Sequence, residues 1–227
     1  MERTRRTPMS YRAATIRCVP GQGVIDEAMR AYYEQRAAEY DDWWLGRGIF
    51  AKRDRPGWHQ EVEAVLEAVR ALEPARTLDV ACGTAFVTRH LGGEVVGLDQ
   101  SETMVRIASS RLPHGRAVQG DAVPLPFDDR SFDRVFTGHF YGHLLAAERE
   151  RFLAEARRVA PELVVLDSAL RDDVEPEEWQ ERVLNDGTRH TVYKRYFRGT
   201  ELADELGGGA VLHEGGWFVA VACNIGV

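Results

Sequence analysis

Asp79 and Asp99 stand 20 residues apart in residues 77–99, TLDVACGTAFVTRHLGGEVVGLD, with the small-residue turn Cys82-Gly83-Thr84-Ala85 between them. Leu78, Val80 and Ala81 make a short buried strand before the turn, and Val95, Val96 and Leu98 make the strand that ends at Asp99. Small residues in such a turn let the backbone approach a ligand, and an acid about 20 residues on takes a ribose diol. Asp79, just ahead of the turn, opposes phosphate and favours an ammonium group. A pyrophosphate asks instead for close backbone contact at a helix N-terminus. Only Gly83 is a glycine; Ala81 and Ala85 occupy positions where a dinucleotide fingerprint carries glycines. A second set of reactive groups lies in Gly138-His139-Phe140-Tyr141-Gly142-His143-Leu144, a loop at the carboxyl end of a later strand. Two histidines and a tyrosine there can orient or deprotonate a nucleophile. A helix cap and a solvated surface histidine account for the same residues without chemistry.

A ligand with an ammonium, a ribose and no phosphate is S-adenosylmethionine (SAM), so local charge favours SAM over NAD. Residues 120–133, GDAVPLPFDDRSFD, resemble the stretch linking the third and fourth strands of class I SAM-dependent methyltransferases. With the DVACGT turn and the acid after the second strand, three segments match in order and spacing. The resemblance is to the small-molecule type of that family (methyltransferase domain 11/25-like) and covers roughly residues 60–170. It implies an α/β, Rossmann-like doubly wound seven-stranded sheet, a C-terminal antiparallel hairpin and N-terminal lid helices. It assigns Asp79, Ala81 and Gly83 to the amino-acid end of SAM, Asp99 to the ribose, and Asp121 and Ala122 to the adenine, with Gln100 and Thr137 as further cofactor-binding residues; Met104 would cover the adenine face, with plain core packing as the alternative. Ala85 departs from the family, which commonly has a third glycine there. AYYEQRAAEYDDWW is similar to the family's YYxxxAxxYD-like lid, which sets Tyr33, Arg36 and Tyr40 over the cofactor. The alternative is an aromatic stripe packed on the core.

Periodicity supplies the elements that must hold these groups. A helical pattern runs from Asp26, a suitable N-cap, to about Trp44. Residues 46–57 read as a flexible basic connector. Val62, Val65, Leu66, Val69 and Leu72 form one face of a helix over 58–72. Phe86, Val87, His90 and Leu91 fit one face of a short helix after the turn. Ser101 caps a helix over 102–112, and strands are expected at 116–119, 132–137 and 163–166, with a charged helix at 146–159. The acidic stretch 172–181 reads as a short surface helix whose Trp179 lies on a solvated face. Residues 191–197 are extended, and Lys194, Arg195 and Arg198 form a local basic cluster, read as surface salt bridges with an anionic substrate group as the alternative. Thr200 caps a helix over 201–206, Gly207-Gly208-Gly209 stops it, and residues 210–223 form a hairpin.

The chain has 227 residues, 44% hydrophobic and 29% charged, which suits one soluble α/β domain. The expected division is a flexible extension over 1–25 and a single domain over 26–227. No apolar run approaches the ~18 residues of a membrane helix. Cys18, Cys82 and Cys223 have neither pairing nor metal spacing, which points to a reducing cytoplasm and no metal. Net charge is −7, but residues 1–25 hold five arginines and one acid, so the remainder is near −11. A body that acidic excludes nucleic acid as the expected partner, since that affinity rests on phosphate neutralisation. The arginine-rich head reads as a disordered extension or the result of an upstream start site rather than a transit peptide.

These readings converge on methyl transfer from SAM to a small-molecule acceptor, an in-line displacement at a sulfonium carbon in which proximity supplies much of the acceleration. His139, His143 and Tyr141 are the candidate catalytic residues. SAM binding without turnover, or an NAD-dependent oxidoreductase, are the alternatives. An aromatic lid suits a planar or apolar acceptor such as a quinone, phenol or polyketide-like compound.

Overall fold

The computed structural model describes residues 27–112 and 115–226; the basic extension expected over 1–25 lies outside them. Short β-branched and leucine-rich runs with both faces covered form parallel strands. Here they are β1 (Ala75–Val80), β2 (Gly93–Asp99), β4 (Arg134–Gly138) and β5 (Glu162–Ser168), with β3 (Gly115–Gln119) as a half-exposed parallel edge strand. β6 (Glu177–Val183) and β7 (Arg189–Arg195) form a separate antiparallel pair, while β8 (Ala210–Glu214) and β9 (Phe218–Asn224) close the main sheet. The seven-stranded order is β3-β2-β1-β4-β5-β9-β8, with β9 antiparallel to β5 and β8. The Rossmann-like sheet and terminal hairpin are as expected. The order reverses between β1 and β4, the place where ligands bind beyond the carboxyl ends of open α/β sheets.

Strand alternation divides the core between the two faces. Leu78, Val135, Leu163 and Val165 pack with Phe152 and Leu153 of α5 (Ala146–Val159) and with Leu202 of α6 (Gly199–Leu206). Phe136, Val164 and Leu166 pack on the other face with Val62, Val65 and Val69 of α3 (Trp58–Arg70). Trp44 joins that second core, stacked between Phe86 and Phe218 with ring centroids 5.0 and 5.5 Å away. Among the described residues no helix is long and apolar enough to cross a membrane.

Four local expectations are corrected. The N-terminal helix is broken into α1 (Glu27–Arg36), a 3-10 turn (Ala37–Glu39) and α2 (Asp42–Leu45). The helix after the glycine turn is only a 3-10 turn (Thr88–His90), because Gly92 and Gly93 end the segment before a nucleated helix can propagate. The acidic stretch expected to be helical becomes β6. Its residues alternate between exposed and half-buried, and Asn185-Asp186-Gly187, with Gly187 at φ +86°, turns the chain back into β7. At α6 the cap is not Thr200. The Glu214 carboxylate accepts the Gly199 amide at 2.8 Å instead. The helix after β2, α4 (Glu102–Arg111), begins as expected, with the Met104 amide donating to Ser101 Oγ at 3.1 Å.

Candidate active site

A cavity of about 240 Å³ opens at the carboxyl ends of β1, β2 and β4. Its walls toward the β3–β2–β1 side come from Ala81, Gly83, Asp99, Gln100, Met104, Asp121 and Ala122. Toward β4 and β5 it is lined by His139, Phe140 and His143, with Leu145 and Glu148 from the start of α5. Met29, Tyr32 and Tyr33 of α1, and Trp179, His190, Thr191 and Tyr193 of the β6–β7 hairpin, complete it. Tyr32, Leu184 and Val192 form a small core that joins α1 to the hairpin.

The turn after β1 is bent tightly. Ala81 and Ala85 adopt φ 61° and 60°, left-handed values that cost an L-residue ~1–2 kcal/mol each, and Gly83 is at φ 54°. A Cβ on Gly83 would come within 3.2 Å of the Tyr40 ring, so a larger residue there would press on that side chain at an already left-handed φ. Ala85 therefore replaces the family's third glycine at a conformational cost, with its methyl fully buried. Asp99, 8% exposed, accepts the Gly83 amide on one oxygen and the Ser101 amide on the other, each at 2.9 Å. Burial pushes its carboxyl up to about 6 against the pull of those amides. Asp79 is buried and accepts the Thr88 hydroxyl at 2.5 Å on Oδ2, while its Oδ1 has no hydrogen-bond partner among the described residues. Burial pushes this carboxyl up to about 8. Asp79 does not line the main cavity. It faces a small adjoining pocket that shares Tyr40 and Ala81 with it.

Arg36, also 8% exposed, lies over the rings of Tyr32 and Tyr40 at 5.6 and 5.1 Å and donates to the Tyr32 hydroxyl at 2.6 Å. Among the described residues no carboxylate pairs with it. Tyr33 and Tyr40 line the cavity directly.

The loop after β4 separates its three candidates. His139, at φ 56°, is packed among Trp43, Trp44 and Phe218, with centroids 4.8, 5.1 and 5.6 Å away. Its Nδ1 lies 3.4 Å from Ser168 Oγ and 3.7 Å from Asp167 Oδ1, and its buried Nε2 has no partner among the described residues. Burial pushes its pKa down to about 3. His143 Nδ1 lies 2.6 Å from the Tyr193 carbonyl. A carbonyl only accepts, so Nδ1 carries the proton and Nε2 is left as an acceptor. Burial, together with Lys194 and Arg182, holds His143 well below the ordinary imidazole range. Both side chains are thus neutral near pH 7 and suited to orienting a hydroxyl, not to gaining and losing a proton near pH 6.5.

Four expected site residues do not line the main cavity: Asp79 and Arg36, placed above, and Tyr141 and Thr137. Tyr141 is fully buried against Phe152 and Phe197 and donates its hydroxyl to Glu205 at 2.9 Å. Thr137 donates to the Val80 carbonyl at 2.8 Å and ties β4 to β1. The basic cluster resolves into ion pairs: Arg195 with Glu205 at 2.9 Å and Arg198 with Glu201 at 3.3 Å. Lys194, contrary to a surface reading, is buried against Asp167, which also accepts the Gly142 and Ser168 amides at 2.8 and 2.7 Å. The cavity residues of the hairpin were not anticipated. The Asn-Asp-Gly turn and the alternation of 177–183 are the signals that expose them.

Residues 78–162 match a family model described as "Methyltransferase domain". Over these residues the chain carries the sequence of a methyltransferase domain. The chain is similar to a demethylmenaquinone methyltransferase of Thermotoga maritima, 40% identical over 139 residues, which are 58% of this chain and 56% of that protein. A demethylmenaquinone methyltransferase of Renibacterium salmoninarum is 39% identical over 136 residues, 59% of this chain and 54% of that one. The matched region thus spans about half the length of these curated relatives. A solved complex of DhpI with SAM and HEP superposes with TM-score 0.70 at 27% identity, covering 90% of this chain and 99% of that one.

Proposed function

We propose that this methyltransferase binds SAM against the turn after β1 and transfers its methyl group to a small planar acceptor held against the loop after β4. The carrying observation is the single cavity that joins Gly83 and Asp99 to His143, Tyr33, Tyr193 and Trp179. The residues on the β3–β2–β1 side fit SAM. The Asp79 carboxyl, able to give up its raised-pKa proton beside an ammonium, and the Arg36 guanidinium are buried groups, neither with a charged partner among the described residues, near a common neighbour, Tyr40. They match the ammonium and carboxylate of an amino acid. Each oxygen of Asp99 accepts one amide and retains a lone pair for a ribose hydroxyl. Met104, Asp121 and Ala122 suit the adenine.

Bound SAM supplies an electrophilic methyl on a sulfonium. The protein's part is to hold an acceptor oxygen, nitrogen or carbon in line with it and to keep water out. His143 Nε2 accepts a hydrogen bond from the acceptor and orients it. Tyr33, Phe140, Tyr193 and Trp179 offer flat apolar surface for an aromatic ring, in keeping with relatives named for a quinone acceptor. We read residues 26–227 as one unit serving this reaction.

Calorimetric titration with SAM, its demethylated product S-adenosylhomocysteine (SAH) and NADH tests the first half. Radiolabelled SAM with a panel of naphthoquinols and phenols tests the second. SAM binding with transfer to an aromatic acceptor is expected. Absent SAM binding would overturn the reading, and binding without transfer to any acceptor or cell extract would favour a SAM-binding protein without turnover.

A further inference from the structure

The segment that covers the cofactor side is fastened at two points, and each adjoins a group bonded to Asp99. Glu34 of α1 accepts the Ser101 hydroxyl at 2.5 Å, the Thr103 amide at 3.2 Å and the Thr103 hydroxyl. Ser101 is the residue whose own amide donates to Asp99. Asp41 accepts the Thr84 hydroxyl at 2.5 Å and pairs with Arg111 at 2.7 Å, and Arg111 also donates to the Thr84 carbonyl at 3.0 Å. Thr84 follows Gly83, the other amide donor to Asp99. A carboxylate at a helix N-terminus is favoured by the orphan amides and the helix dipole. Yet α4 does not need Glu34 to begin, because Ser101 already caps it through the Met104 amide. The bonds of Glu34 therefore join two elements rather than start one. Hydrogen bonds from Ser101 and Thr103 hold its carboxyl below the usual range, so the charge is retained at neutral pH. Between the two fastenings in the chain lie Arg36 and Tyr40, with Tyr33 next to Glu34.

We propose that Glu34 and Asp41 are positioning residues for the cofactor: they latch residues 33–41 across the Asp99–Gly83 side of the cavity, and cofactor exchange requires the latch to open. This inference rests on the reading that SAM binds there. The acceptor does not need that route. Leu145 and Trp179, 43% and 63% exposed, line the cavity where it meets solvent on the hairpin side. A ligand held only in the latched state must dissociate faster when that state is destabilised.

The test is the dissociation rate of SAH from the full chain, followed by stopped-flow tryptophan fluorescence. Glu34→Gln and Asp41→Asn should each release SAH roughly tenfold faster, the scale on which charge-assisted hydrogen bonds act. Thr103→Val should reproduce Glu34→Gln, and the Glu34→Gln, Thr103→Val double variant should release SAH no faster than either alone. The ligand-free melting temperature should be nearly unchanged, which separates latching from general destabilisation. Unchanged SAH release in folded variants, or full additivity of Glu34 and Thr103, overturns the latch. If the wild-type chain binds neither SAM nor SAH, the failure lies in the functional reading instead. Thr103→Val leaves the caps of Ser101 in place, so it keeps the test open should Glu34→Gln fail to fold.

Discussion

The Asp99 carboxylate accepts the Gly83 amide at 2.9 Å, so the acid that ends β2 is bonded directly to the turn that follows β1. One side chain thereby holds the turn closed and offers its remaining lone pairs to a ligand. Asp99→Ala frees two amides and removes charge-assisted bonds worth ~1.5–3 kcal/mol. SAM affinity is expected to fall at least ~10-fold by calorimetry. The carboxylate is the form that accepts both ribose hydroxyls, and its pKa is raised to about 6. The contribution of Asp99 to wild-type affinity should therefore be level above that pH and decline as pH falls through it.

Asp79 should show a trade between stability and binding. Its folded carboxyl is raised from 3.8 to about 8, so the folded chain holds a proton that the unfolded chain releases across that window. Stability contributed by this group is then present at low pH and lost as pH rises toward 8. Asp79→Asn removes the dependence. Calorimetric scans of the ligand-free protein at pH 8 should show a melting temperature higher by ~2–4 °C for each kcal/mol recovered. SAM binding should weaken in the same variant, because no anion remains for the ammonium group.

The histidines should leave no inflection near pH 6.5 on the pH–rate profile, since burial holds both well below the ordinary imidazole range. His143→Ala is expected to slow turnover by up to ~10-fold, the worth of one neutral hydrogen bond. His139→Ala acts differently. It empties space among Trp43, Trp44 and Phe218 and should cost about 2 kcal/mol of stability, measured by denaturant unfolding. An inflection near 6.5 that vanishes in His143→Ala would restore a histidine base.

Lys194→Met leaves Asp167 as a buried unpaired carboxylate between the Gly142 and Ser168 amides. Loss of one partner of such a pair costs about 3–5 kcal/mol. Unfolding titrations should register that loss, while Arg198→Met, which breaks an exposed pair with Glu201, should change stability by less than ~0.5 kcal/mol.

Asp79, Gly83 and Asp99 could be read from the chain because a strand, its turn and the next strand are contiguous. Their chemistry rests on backbone shape and local charge, which spacing encodes. The same holds for Ser101, which caps its helix from two residues beyond Asp99. Direction of side chains in the loop after β4 could not be read this way. A 3-10 turn over Tyr141–His143 sends Tyr141 to Glu205, 64 residues away, and His143 to the Tyr193 carbonyl, 50 residues away. Neither partner is visible until the sheet brings β7 and α6 to that loop. Lys194 looked like a surface cation because its neighbours in sequence are basic; only the packing of β7 against Asp167 buries it. Glu34 lies in a helix whose pattern records its own faces but not the helix N-terminus it meets, 67 residues on, at Ser101. Local periodicity carries information about what lies within a few residues. The latch, the neutral histidines and the hairpin wall depend on contacts that only long-range packing creates.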